Sequence, residues 1–115
     1  MRRVFDELVK TEGVIGGLLV GRDGLVIQTL LIEEEDAEVL AALAANMFDN
    51  ISKTTQRLGI GSLNDTIIEA KNGLLLMCSA AEQVMIAICQ HPVRLGEVRL
   101  AMLKAARLVE KEFEN

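Results

Sequence analysis

Few residues in this 115-residue chain have side chains suited to catalysis. His91 is the only histidine and stands beside Pro92, so it is predicted to be a loop residue rather than a zinc ligand or the base of a Ser-His-Asp triad. Acidic residues are plentiful, yet no pair stands out in apolar surroundings that would tune one carboxyl against another. The sequence therefore predicts no catalytic residues, no metal site and no enzymatic activity of its own.

The two cysteines are predicted on neighbouring strands of one hairpin. If the turn centres on Glu82, Cys78 lies opposite Ile86 and the two thiols point to opposite faces of the sheet. A one-residue change in the turn puts them on the same face, but four residues or about 13 Å apart. Neither register allows a disulfide, so we expect two reduced thiols, as suits a reducing cytoplasm.

Nucleotide, nucleic-acid and membrane-spanning roles are also disfavoured. The segment Gly59-Ile60-Gly61 lacks the third glycine of a dinucleotide loop, and the chain has no Gly-Lys-Ser/Thr phosphate loop, so no cofactor is expected. There is no Trp or Tyr to stack on bases, and the net charge is -5, so no nucleic-acid partner is expected. Charge-free runs reach about half of the roughly 20 residues that a membrane span needs. Since no leader pattern precedes the first helix, we expect a cytoplasmic protein without membrane insertion.

The hydrophobic pattern predicts one α+β domain over residues 1–115, with element order α-β-β-α-β-β-β-α. Asp23-Gly24 and Asn72-Gly73 are typical of tight hairpin turns, and Gly59 of a helix end. The acidic residues 33–36 precede the long helix and are expected to satisfy its free N–H groups. The predicted helices cover 1–12, 36–58 and 93 to about 114, and the strands cover 14–20, 25–32, 63–70, 74–79 and 84–89.

The helix predicted at 36–58 has more apolar surface than one sheet can cover. No charge occurs between Val39 and Phe48, and a chain that is 50% apolar is hydrophobic for a monomer of this length. The stripe expected to cover its own sheet contains Leu40, Ala44, Met47, Ile51 and Leu58. Alanines on the remaining sides could simply be good helix formers on a tolerant surface. We favour instead a second copy of the same helix as the missing cover.

Strand 63–70 begins a three-strand meander and is expected at an edge of the sheet, where its unpaired backbone could join a second copy. Both routes predict an isologous, two-fold homodimer. The predicted dimer interface is Val39, Leu43, Asn46 and Asn50 on the helix with Thr66, Ile67, Ile68 and Glu69 on the strand. A partner-binding face is predicted on the far side of the helix, at Glu38, Ala42, Ala45, Asp49 and Lys53.

The terminal helix has a partly basic outer side. Its basic residues Arg99, Lys104, Arg107 and Lys111 are interspersed with Glu97, Glu110, Glu112 and Glu114. This mixture is typical of a solvated helix surface, which is the default interpretation.

Over nearly all its length the chain resembles the Roadblock/dynein light chain family. The resemblance rests on Gly16-Gly17, Asp23-Gly24, Asp36-Ala37-Glu38, Gly59, Ile67-Ile68-Glu69, Asn72-Gly73-Leu74 and Leu95-Gly96-Glu97-Val98-Arg99. It implies a profilin-like, five-stranded antiparallel sheet with the long helix on one face and the two terminal helices on the other. It also implies a homodimer through the long helix and the edge strand.

The same resemblance implies a regulatory platform for small Ras-like GTPases, similar to the gliding-motility type that accelerates GTP hydrolysis. The alternatives are a structural adaptor similar to dynein light chains and, third, a small-molecule sensor. The segment Ser79-Ala80-Ala81-Glu82 departs from the family, in which more glycine is expected at this turn. Arg22 lies in what looks like an ordinary hairpin, so we expect stabilisation of a partner's own catalytic residues rather than donation of an arginine finger.

Overall fold

The computed structural model describes residues 4–113. The predicted element order is confirmed, and the first strand has its predicted bounds. The elements are α1 (Asp6–Val9), β1 (Val14–Val20), β2 (Val26–Leu30), α2 (Glu34–Arg57), β3 (Asp65–Ala70), β4 (Gly73–Ala80), β5 (Gln83–Gln90) and α3 (Leu95–Phe113). The first helix is shorter than predicted, with four residues, while residues 1–3 and Glu114 lie outside the described part.

The five strands form one antiparallel sheet in the order β2-β1-β5-β4-β3. The meander β3-β4-β5 is joined to the β1-β2 hairpin by the pairing of β5 with β1. β3 therefore lies at one edge, as predicted, and β2 lies at the other.

Two hydrophobic clusters cover the two faces of the sheet. On one face, α1 and α3 pack on residues such as Leu19, Leu76 and Met85. On the other, α2 packs on Leu18, Val20 and Ile86. Successive strand residues alternate between these clusters, as the two-residue repeat of a strand requires. The predicted layering, with the long helix opposite the two terminal helices, is confirmed.

The face by which α2 meets the sheet differs from the predicted one. The buried residues are Ala37, Ala41, Ala44, Ala45 and Phe48. The predicted stripe is wrong at Leu40, which is 38% exposed, and at Leu58, which is 70% exposed. Alanines allow the helix to lie close to a sheet whose own large side chains already fill the core, so the large aliphatic residues of α2 turn outward.

The two ends of α2 are stabilised in different ways. Glu34, Glu35 and Asp36 occupy its first turn, where they favour the positive end of the helix dipole. The expected capping by an acidic side chain is absent at Glu33, which makes no side-chain cap hydrogen bond. At the other end, the N–H of Gly59 donates to the Gln56 carbonyl, and that of Ile60 donates to the Thr55 carbonyl. With Gly59 at φ +81°, this is the predicted glycine stop.

The hairpin turns differ in which residues have positive φ. Gly24 has the predicted positive φ, +86°. Gly73 does not: it belongs to β4, where a Cβ atom would overlap the carbonyl oxygen of Cys89 on β5. In the β4–β5 turn, Ala81 and Glu82 both have positive φ, 50° and 67°, although neither is glycine. This turn lies in the segment where the resemblance to the family predicts more glycine.

Candidate functional site

One side of α2 carries a row of aliphatic side chains that its own sheet does not cover. Val39 and Leu43 are 61% and 62% exposed, Leu40 is partly exposed, and Met47 and Ile51 are half-buried. We call these five residues the apolar strip. The sequence interpretation assigned three of them to the core, because it gave the largest aliphatic residues to the helix's own sheet.

The apolar strip continues onto the sheet. α2 lies mainly over β2, β1 and β5, so the β4–β3 end of the same face is less covered. There Ile68 and Leu75 are cross-strand partners and both are half-buried. The surface therefore runs from α2 across β4 to the open edge of β3.

The predicted dimer residues are distributed over three surfaces. Val39 and Leu43 belong to the apolar strip, and Asn50 is exposed on the outward side of α2. Thr66 and Ile68 pair with Met77 and Leu75 on the α2 face of β3, whereas Ile67 and Glu69 point to the α3 face. Asn46 lies on the other side of α2, where it lines a groove.

That groove separates α2 from the β1–β2 hairpin and has a volume of about 1290 Å³. Its floor is built from small residues such as Gly24, Ala37 and Ala42. Around them stand four acidic residues and one arginine: Asp23, Glu34, Glu38, Asp49 and Arg22. We call it the acidic groove, since its lining has three more negative than positive charges.

The predicted partner-binding residues surround this groove. Glu38, Ala42 and Asp49 line it, and Lys53 forms an ion pair with Asp49 at 2.9 Å. Ala45 also lines it but is only 9% exposed and packs in the α2 core, so it does not belong to an outer face. At the hairpin end, the Asp23 carboxylate accepts a hydrogen bond from the Leu25 N–H at 3.0 Å. The Arg22 guanidinium donates to the Ser79 hydroxyl at 3.3 Å.

The residues with reactive side chains lie apart from both surfaces. Cys78 pairs with Met85, and Cys89 pairs with Leu74, so the two free thiols share the α3 face at positions four residues apart along the strands. This is the second of the two predicted registers. Burial raises the pKa of Cys78 to about 12, and the carboxylates of Asp65 and Glu110 add to the rise. Burial also raises the pKa of Cys89.

Within residues 4–113, no group of three or more His, Cys, Asp or Glu side chains is placed to hold a metal ion. His91 is exposed in the segment that follows β5. In the same part of the chain, no helix has both the length and the apolar character needed to cross a membrane.

A family model and several known proteins match this chain. The model of the Roadblock/LC7 domain matches residues 2–90. The chain is 39% identical over 111 residues to the protein MJ1340 of Methanocaldococcus jannaschii, covering 96% of this chain and 97% of that one.

Three solved structures have the same fold. A Roadblock/LC7 domain from Streptomyces avermitilis superposes with a TM-score of 0.89 at 16% identity, covering 96% of this chain and 93% of that one. Myxococcus xanthus MglB gives 0.85 at 23% identity, with 97% and 89% covered. Acanthamoeba castellanii profilin II gives 0.61 at 16% identity, with 97% of each chain covered. The predicted profilin-like, Roadblock-type fold is confirmed.

Proposed function

Since the chain belongs to the Roadblock/LC7 domain family, we propose that it is a homodimeric platform that binds a small Ras-like GTPase and modulates its GTP hydrolysis or localisation. The observation that carries the proposal is the apolar strip of α2, flanked on its other side by the acidic groove. One long helix thus offers one side suited to a second copy and another suited to a different protein.

The dimer is supported by the chemistry of the apolar strip. Val39 and Leu43 are aliphatic and about 60% exposed. A second surface that removes them from water lowers the free energy and so stabilises the dimer. A two-fold axis beside β3 would place two strips against each other and two β3 edges side by side. Edge pairing would also satisfy the unpaired backbone groups of β3.

The partner site is supported by the acidic groove. Even with Lys53 paired to Asp49, its carboxylates outnumber its basic side chains, which favours a protein that presents Lys or Arg side chains. Such charges raise association rates more than affinity. The small residues on its floor leave room for those side chains to enter between α2 and the hairpin.

Regulation through such a platform requires no catalytic residue in this chain. GTP hydrolysis is accelerated when a water-orienting residue and a positive charge are held in place at the transferred phosphoryl group. Arg22, already hydrogen-bonded to Ser79, is an unsuitable finger. We therefore propose that binding orders the partner's own catalytic residues.

The test measures binding and GTP turnover of a candidate Ras-like GTPase, with and without this protein. We expect the wild-type protein to bind it and change its turnover. Glu34→Lys with Glu38→Lys should weaken binding at least about tenfold, since like charges across an interface repel. The charge-matched variant Glu7→Lys with Glu12→Lys should bind normally. Both residues are exposed away from the groove, Glu7 in α1 and Glu12 in the segment that follows it.

The possible results separate the alternatives. Absence of both binding and rate change would refute the regulatory function. Equal affinity for the GDP and GTP states without any change of turnover would identify a structural adaptor instead.

A further inference from the structure

The side of α3 that points away from the sheet has an unusual composition. On a helix with 3.6 residues per turn, five side chains and Gly96, which has none, fall within a sector of about 100° opposite the buried side. The five side chains are those of Leu100, Leu103, Lys104, Arg107 and Lys111, and we call them the outer sector. The acidic residues of α3 at 97, 110 and 112 fall outside it, so the outer sector contains three positive charges and no negative one.

All five side chains of the outer sector are exposed, the two leucines by 54% and 56%. The three basic side chains form no ion pair within residues 4–113. The other two basic residues of this region do: Arg94 pairs with Glu97 at 3.8 Å, and Arg99 pairs with Asp65 at 3.4 Å. The outer sector is therefore a free basic surface with two aliphatic side chains among the charges.

We propose that the outer sector docks the protein on an anionic lipid surface. Each Lys or Arg held near such a surface strengthens binding by about fivefold. The leucines between the charges can enter the boundary between lipid headgroups and acyl chains. An acidic polypeptide would not provide such an apolar layer. Because α3 lies along the sheet, these residues form one exposed row. Such a row can contact a flat lipid surface along its whole length, whereas a pocket would not accommodate it.

The acidic residues on and beside α2 favour the same orientation. The acidic segment 33–36, together with Glu38 and Asp49, lies on or beside α2, on the opposite side of the sheet. An anionic surface therefore repels the acidic groove and attracts the outer sector of α3. The protein would dock with the acidic groove directed away from the lipid.

The proposed dimer would strengthen the attachment. If two β3 edges pair, the two sheets become continuous and both α3 helices lie on the same side. Two outer sectors would then bind one plane, and the second would bind at a high effective concentration. The stronger attachment of a dimer rests on the proposed function. The lipid site itself does not, because it is argued from the charges of a single α3.

The test is co-sedimentation with vesicles of phosphatidylglycerol and phosphatidylcholine, compared with vesicles of phosphatidylcholine alone. We expect binding to the mixed vesicles only, weakening as salt is added. Lys104→Gln with Arg107→Gln should reduce partitioning at least about tenfold. The control Arg57→Gln with Lys71→Gln removes the same charge from exposed positions outside α3 and should change partitioning less than about twofold.

Equal partitioning of the two double variants would refute the proposal. So would binding to soluble poly-L-glutamate without binding to mixed vesicles, since that result assigns the outer sector to an acidic polypeptide. Light scattering on the same samples reports the dimer separately. A monomer that still partitions through the outer sector would refute the proposed dimer and leave the lipid site standing.

Discussion

Cys78 is a thiol that the fold holds in its protonated form. With its pKa at about 12 instead of 9.0, its thiolate fraction at neutral pH is lower by about 10^(12−9), or roughly a thousandfold. Because the thiolate is the nucleophile, we expect alkylation by iodoacetamide to be slower by about that factor than in the unfolded chain. Mass spectrometry of a labelling time course measures the rate, and Cys89→Ser leaves Cys78 as the only reporter.

The raised pKa also sets a pH dependence. The folded chain holds the Cys78 proton more tightly than the unfolded chain, so this contribution to stability is complete below pH 9.0 and is lost as the pH rises towards 12. Cys78→Ser should therefore flatten the alkaline loss of stability. Labelling of Cys78 at the same rate in folded and urea-unfolded protein would contradict both expectations.

The positions of the two cysteines show that a residue pattern does not fix the register of a hairpin. Composition and spacing predicted free thiols correctly, but two registers remained. The structure has the register in which Ala80 pairs with Gln83 and the turn consists of Ala81 and Glu82. Positive φ at these positions would normally be indicated by Gly or Asn, and the sequence has neither there. The turn is therefore set by the pairing of the flanking strands.

At the level of elements, Gly73 is needed where two strands approach closely. A Cβ at this position would overlap the Cys89 carbonyl oxygen, which is backbone and can move only with β5. We expect Gly73→Ala to destabilise the protein by about 2–3 kcal/mol, in the range of core overpacking. Gly96→Ala is the matched control, since nothing lies within 4 Å of a Cβ there and alanine favours the helix by up to about 1 kcal/mol.

Urea denaturation of the two glycine variants measures both changes. Equal midpoints for Gly73→Ala and the wild type would show that the β4–β5 pairing can relax around a methyl group. A fall in the midpoint of Gly96→Ala would contradict the helix argument.

The long helix shows where element prediction succeeded and where it failed. Its existence and its glycine stop followed from periodicity and from Gly59. Its buried face did not, because a helix that lacks charge from Val39 to Phe48 has no polar side to orient it. The orientation is set by the sheet. Its large side chains occupy most of the space beneath α2, so small residues such as Ala41 and Ala44 face it.

At the level of the whole molecule, the sheet separates the acidic groove from the basic outer sector. The α2 side carries the apolar strip and the acidic groove, and the α3 side carries the basic outer sector. Composition alone indicated an excess of apolar residues and a net negative charge. It could not show that Lys104, Arg107 and Lys111 share one exposed side of α3, because this depends on which side of the helix is buried.

The proposed dimer makes a prediction that two adjacent residues can test. Leu43 belongs to the apolar strip, while Ala42 lines the acidic groove on the other side of the helix. Leu43→Arg would bury an unpaired charge twice in a two-fold interface, at several kcal/mol each time, and should therefore weaken the dimer more than about a hundredfold.

Ala42→Arg introduces the same side chain one residue away and should leave the dimer intact, because its charge enters a groove lined with carboxylates. Light scattering across a concentration series measures both variants. If Ala42→Arg dissociates the protein and Leu43→Arg does not, the second copy occupies the groove. The apolar strip would then be the surface left for a partner.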